Sequence, residues 1–406
     1  MAHPTTPYDA VLHAARDVTK LDCALDAEML ATALLGSVYA VAEEDRAAAV
    51  RDFVGGFLAA TSRRRTAAAT TIREVFARMV PEAPGAAAVK RGAQAPEWVG
   101  QIGRVRLTGC YAYGDVYGDQ TSYLATFAYD DSDVGGPEHA VVALVDHNIG
   151  ITKDVFVGGP ADGILAQVRQ ICASDELTWF REEDPRRLRG EVVRHLRITD
   201  GLTNLPEGSS LAADRALAGA RLAILPAPSS SPSISSISSP ASSDDRTVLV
   251  RRFLDSSEAA RFGLTHVSEA ELPSLHFCLS LVLDFAASSP DPDPMRWSPA
   301  VAGLFLLDWV HRRAVLDLDD AAMLPRVVRA WAAYASRQRG LSEPATAGTD
   351  AAIEELVPEF VRLYTTGERR SPATAAVAQL IAEGVDPNDP DALDAWLAQN
   401  IPPASS

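Results

Sequence analysis

Cysteine is scarce in this chain, and the four present do not cluster: Cys23, Cys110, Cys172 and Cys278 contain no C-x-x-C pair. That excludes a disulfide framework and a zinc-ribbon ligand set, and suits a reducing compartment. Long hydrophobic runs are also missing. The most apolar later stretches, VAGLFLLDWV and LSLVLDFAA, are about ten residues long and each carries an Asp, whereas a bilayer-spanning helix needs roughly 20 apolar residues. The opening MAHPTTPYDAVLHAARD has no apolar core of signal-peptide length. A soluble, cytoplasmic protein with no membrane attachment is expected. Positive charge is short as well: 37 Lys and Arg face 54 Asp and Glu, for a net charge of −17. Such a field repels phosphate backbones and anionic lipid, so nucleic acid is an unlikely partner and no continuous Lys/Arg face offsets it. There is no phosphate loop, no G-x-G-x-x-G after a strand, no H-E-x-x-H, no G-x-S-x-G elbow and no repeat of fixed period. The cofactor is unknown from the sequence, and the oligomeric state is open.

What is present reads as an ordinary globular composition, 47% hydrophobic and 22% charged. At 406 residues the chain is long enough for two or three domains. Residues 1–96 read as a helical N-terminal region: Asp26 is placed to cap AEMLATALLGSVYAV, and Ile72, Val75, Phe76 and Met79 share a helical face. Residues 97–225 read as an α+β domain. TSYLATFAY, HAVVALVDH and TKDVFV, with a strand leading into CYAYGDVYGDQ, are β-rich segments joined by short Gly/Asp turns, which predicts an antiparallel sheet. Both alternating sets of residues 140–145 are apolar, so that strand should be central and covered on both faces. Helices follow at PADGILAQVRQIC and PRRLRGEVVRHLR. Residues 226–245, PAPSSSPSISSISSPASSDD, read as a disordered Ser/Pro-rich linker. Residues 246–406 read as a helical domain, with starts at Ser298-Pro299, Ser371-Pro372 and Asp389-Pro390 and a stop at Gly340. The fold class is α+β, helical at both ends.

The polar residues that end the β segments are the first candidate site. Asp115, Asp119 and Gln120 precede one strand; Asp146, His147 and Asn148 end another; Lys153 and Asp154 follow. Asp146, His147 and Asp154 could activate water, with Lys153 stabilising developing negative charge, and Asp119, Asp146 and His147 could hold a divalent metal. Their spacing matches no metal motif, and the same residue types simply end strands and build turns. In MRWSPAVAGLFLLDWVHRR, Asp308, His311 and Arg312 share a helical stripe; a structural ion pair explains them, with an anion site at Arg312 and Arg313 as the alternative. Arg63, Arg64 and Arg65 read as a solvated face. His139 and His147 sit about 26 Å apart at strand rise, too far to share a metal, and His266 and His276 are isolated.

VYGDQTSYLATF, EHAVVALVDHNIGITKDVFV and RWSPAVAGLFLLDWVHRR resemble segments of a group of bacterial hypothetical proteins. The resemblance spans most of the chain outside the Ser-rich segment and implies no substrate, cofactor or site residue. With no catalytic signature, the expectation is a non-enzymatic module that binds another protein. The alternative is a metal-assisted hydrolase at Asp146, His147 and Asp154.

Overall fold

A computed structural model describes residues 6–228, 243–385 and 395–396. Most of the 226–245 linker and the helix start at Asp389-Pro390 therefore lie outside the described residues. The chain divides into two compact units, Met1–Pro232 and Ser233–Ser406.

Unit 1 begins with helices α1 (Pro7–Ala14), α2 (Ala24–Val41), α3 (Arg46–Thr61) and α4 (Ala67–Met79). Side chains placed for the purpose start three of them: Thr6, Asp45 and Thr66 each accept the backbone N–H three residues on. Helix α2 starts earlier than the sequence suggests, after Cys23, so Asp26 lies inside the first turn, where its charge still suits the positive end of the helix dipole. Among the described residues, α2 alone is long and apolar enough to cross a membrane by length and composition; half of it is buried inside the unit. That burial runs along one stripe, from Ala24 through Glu28 to Leu35 and Tyr39, which is the pattern of a core helix. In α4, Ile72, Val75, Phe76 and Met79 are all buried.

The sheet follows: β1 (Val105–Asp115), β2 (Gln120–Tyr129), a short helix α5 (Ser132–Gly135), β3 (His139–Asp146), β4 (Ile151–Gly158), helix α6 (Ala161–Ser174), β5 (Thr178–Glu182), and helices α7 (Pro185–Asp200) and α8 (Leu211–Leu222). The five strands are antiparallel in the order β4-β3-β2-β1-β5. Strand β3 lies inside the sheet, with Val141, Ala143 and Val145 in the main core and Ala140 and Val142 in a second cluster with Ala161 of α6. Strand β5 escaped sequence reading because TWFRE is short and shows no clean burial alternation. The edge strand β4 is covered rather than left open: Thr152 N–H donates to Thr199 Oγ1 of α7 at 2.9 Å, and Val157 N–H to Asp214 Oδ2 of α8 at 3.0 Å. One buried cluster runs from Val11 through the sheet to Leu225. The helical region 1–96 and the α+β region 97–225 thus share a core, and the boundary near residue 96 does not separate two of them.

Helices α2 and α8 touch at Gly36, where an added Cβ would sit 2.1 Å from the Ala212 carbonyl oxygen. Gly36→Ala improves helix propensity by about 0.5–1 kcal/mol but must push the two backbones apart. A net loss of about 1–3 kcal/mol is expected in urea denaturation of the full chain. A more stable variant would contradict the close approach.

Unit 2 is helical: α9 (Ser243–Leu254), α10 (Ser257–Arg261), α11 (Leu272–Ser288), α12 (Pro299–Leu304), a π turn (Phe305–Trp309), α13 (Val310–Arg313), α14 (Leu318–Arg339), α15 (Glu343–Thr366) and α16 (Pro372–Ala382). Ser298 and Ser371 cap α12 and α16, and Gly340 ends α14 at φ 66°. Its core is built on Phe253, Trp297, Phe305, Trp331 and Phe360.

Candidate functional site

The turns after β1 and β3 lie at the same end of the sheet, and their polar residues are mostly engaged with backbone. Asp115 accepts the N–H groups of Asp119 and Gln120 at 3.0 and 2.7 Å, closing the β1–β2 turn. The Asp119 carbonyl accepts the His147 N–H at 2.9 Å, which joins the two turns. Asp146 Oδ1 accepts from Asn148 and Ile149 N–H at 3.0 and 3.3 Å, and its Oδ2 accepts from the Gln120 amide at 3.1 Å. A register shift between β3 and β4 leaves Lys153 without a cross-strand partner; its exposed ammonium lies 4.0 Å from Asp146. Asp154 turns to another element, accepting the Ser210 N–H at 2.7 Å just before α8. Asp146, Lys153 and Gln120 are therefore brought together, His147 packs elsewhere, and Asp154 serves a helix start. His147 has Nε2 3.0 Å from Thr121 Oγ1, and its ring meets that of His195 edge-on, centroids 5.7 Å apart. Burial lowers the pKa of His195.

Two buried networks of unit 1 lay beyond sequence reading. Arg221, on α8, is fully buried, as is Glu28 of α2. Its guanidinium donates to both Glu28 oxygens, to the Tyr129 hydroxyl at 2.8 Å and, through Nε, to His139 Nε2 at 2.9 Å. Glu28 also accepts from the Tyr129 hydroxyl and the Gly103 N–H. Burial works against the charge on Arg221, and Glu28 and Tyr129 together more than offset it, so its pKa is raised. His139 is pushed down to about 4, first by burial and then by the adjacent guanidinium. In the second network Asp200, at the end of α7, accepts from Tyr39 at 2.7 Å and from Arg215 at 2.9 and 2.6 Å. Burial and the Asp200 carboxylate raise the Tyr39 pKa. Arg46 locks the same region by donating to the Tyr39 and Thr203 carbonyls, each at 2.8 Å. The sequence signal for the first network is a lone Glu in an apolar stripe, which demands a partner.

Both networks line one cavity of about 800 Å³ among α2, α3, α7, α8 and the segment after α4. Its walls include Leu35, Val50, Met79, Val80, Val193, Leu196, Leu222 and Ile224. Six arginines and four carboxylates complete the lining, an excess of positive charge in a chain of net charge −17. Glu28 and Asp200 hold Arg221 and Arg215, Glu74 holds Arg78, and Arg189 donates to the carbonyls of Ala223 and Leu225. Arg51, half-buried, and Arg197, exposed, form no ion pair among the described residues.

In unit 2, Asp308 and Arg312 form an ion pair at 2.8 Å with both side chains part-exposed. His311 turns inward instead, its ring 5.4 Å from that of Phe360. The π turn through Asp308 breaks the regular helical stripe on which the three residues were aligned.

Compared with protein-family models, curated proteins and solved structures, the chain matches none.

Proposed function

We propose that this chain is a non-catalytic, cytoplasmic binding protein whose unit-1 cavity takes a small amphipathic anion, a molecule with an apolar body and one carboxylate, phosphate or sulfonate group. The observation that carries this reading is the lining: apolar walls of ligand-pocket size with Arg51 and Arg197 in no ion pair among the described residues, in a protein that is otherwise strongly acidic. The internally paired Arg215 and Arg221 give the floor a rigid, neutralised polar surface, so ligand charge is met by Arg51 and Arg197. A planar guanidinium suits carboxylate and phosphate oxygens in bidentate geometry.

The test is a thermal-denaturation screen with fatty acids, aryl phosphates and their uncharged alcohols. Anionic members should stabilise the chain, by about 2.7 kcal/mol at a hundredfold excess over Kd. Arg51→Glu/Arg197→Glu should remove the shift while leaving the unliganded melt in place. Stabilisation by the alcohols alone, or equal shifts in the variant, would sink the reading.

A protein partner is the second reading, and one feature of unit 2 favours it. Phe277 on α11 and Val377 on α16 are 36% and 41% exposed and line a groove of about 780 Å³ flanked by Asp284, Arg312 and Arg313. An amphipathic helix of another protein fits such a groove. The metal-assisted hydrolase ranks below both, because the carboxylates of Asp146 and Asp154 already accept backbone N–H groups.

A further inference from the structure

His195 stands on the inner stripe of α7 with Leu188, Val192 and Thr199, and its side chain is fully buried. Its Nδ1 lies 2.8 Å from the Glu191 carbonyl one turn back. A carbonyl only accepts, so Nδ1 carries the proton and Nε2 carries a lone pair. That Nε2 is buried and has no hydrogen-bond partner among the described residues, which a packed interior tolerates rarely and which asks for an explanation. The ring of His147, at the first position after β3, stands against it at 85°. His147 Nε2 lies 3.0 Å from Thr121 Oγ1, a hydroxyl that can accept from the ring or donate to it, and the contact fixes the direction of the ring. One ligand nitrogen of each histidine lies within 4.8 Å of the other's. A cation with metal–nitrogen bonds of about 2.0–2.1 Å spans that separation after a small ring rotation.

We propose that His147 and His195 bind a borderline divalent transition-metal cation, of which Zn2+ and Co2+ are the working examples, through one imidazole nitrogen each. The His195 ring has the arrangement of a metal-bound histidine, in which the nitrogen that does not bind metal donates to a fixed acceptor and sets the ring's tautomer and direction. Here that acceptor is the Glu191 carbonyl, and Thr121 Oγ1 holds the direction of the second ring, His147. Neutral imidazole favours zinc, cobalt, nickel and copper over calcium or magnesium. Water completes the shell. This site differs from the Asp119, Asp146 and His147 set considered from sequence, because the second ligand comes from α7 instead of from a carboxylate at the strand ends. It is also independent of the anion cavity. The link joins the β3–β4 turn to α7, so the cation should act as a structural clip.

The experiment uses the full chain, stripped with chelator and titrated with ZnCl2 and CoCl2 by calorimetry and by the visible absorption of bound Co2+. One cation per chain is expected, with nitrogen-type Co2+ bands and a higher melting temperature. His147→Gln is half-buried and should fold; it should weaken binding about tenfold or more. Thr121→Val, which leaves both ligands in place, should weaken it less while keeping the Co2+ bands. His195→Gln is the second ligand variant, read only after circular dichroism shows a wild-type fold. Binding of equal strength in His147→Gln and Thr121→Val places the cation elsewhere and overturns the proposal. So does a wild-type chain that shows neither heat, Co2+ bands nor a melting shift.

Discussion

Glu28→Ala is expected to destabilise unit 1 by about 3–5 kcal/mol, the usual cost of stranding one partner of a buried ion pair. Arg221 is fully buried and hands its protons to Glu28, Tyr129 and His139. Without Glu28 the guanidinium faces a phenol, a neutral imidazole and hydrocarbon, and the Gly103 N–H loses its acceptor. The double variant Glu28→Leu/Arg221→Met removes both charges at similar volume and should recover most of the loss, because two buried ions are no longer kept from water. Urea denaturation of the full chain measures the effect. Hydrogen–deuterium exchange assigns it, since amides of α2, α8 and the sheet should lose protection while those of α11 and α14 do not. Wild-type stability in Glu28→Ala would mean that water reaches the pair.

The second large effect is a loss of stability in mild acid through His139. In the fold its Nε2 accepts from Arg221 and its pKa sits near 4, against 6.5 for a free imidazole. Above pH 6.5 both states are neutral and the full contribution is present. Below it the unfolded chain takes up a proton that the folded one refuses, so stability falls as pH falls, until about pH 4. At 1.36 kcal/mol per pKa unit the span is worth about 3 kcal/mol, and the part between pH 6.5 and 5 about 2 kcal/mol. His139→Gln keeps an acceptor for Arg221 Nε and cannot titrate. Urea midpoints from pH 7.5 to 5 should therefore fall less steeply in the variant. His195 and His311 are also lowered by burial and contribute to the common slope, so the comparison between the two proteins carries the result. Parallel slopes would contradict a buried neutral His139.

Local chemistry is legible in the sequence. Ser298 and Ser371 start their helices, and Gly340 ends its helix, where hydroxyl and glycine spacing placed them, and the apolar pattern of 140–145 identified the inner strand β3. Residues that act across distance were not readable. Glu28 and Arg221 are separated by 193 positions, and a single charge in an apolar stripe announces a partner without saying which arginine it is. The cavity has the same origin, since its walls come from α2, α3, α7 and α8 and no one segment carries its pattern. At the sheet end the sequence listed the right polar residues and could not rank them. Asp146 and Asp154 turn to backbone, while His147 finds a neighbour, His195, 48 positions away on a segment whose sequence shows only a helix.

We propose above that the unit-1 cavity receives an amphipathic anion through Arg51 and Arg197. The most direct measurement is fluorescence titration with anilinonaphthalene sulfonate, an apolar ring system bearing one sulfonate, against the wild-type chain, Arg51→Glu/Arg197→Glu and Ala216→Trp, a variant that fills the cavity. One saturable site in the wild type is expected, with affinity reduced about tenfold or more in both variants, the loss of at least one charge-assisted contact. The same affinity in all three proteins, or no saturable site in the wild type, would contradict the account.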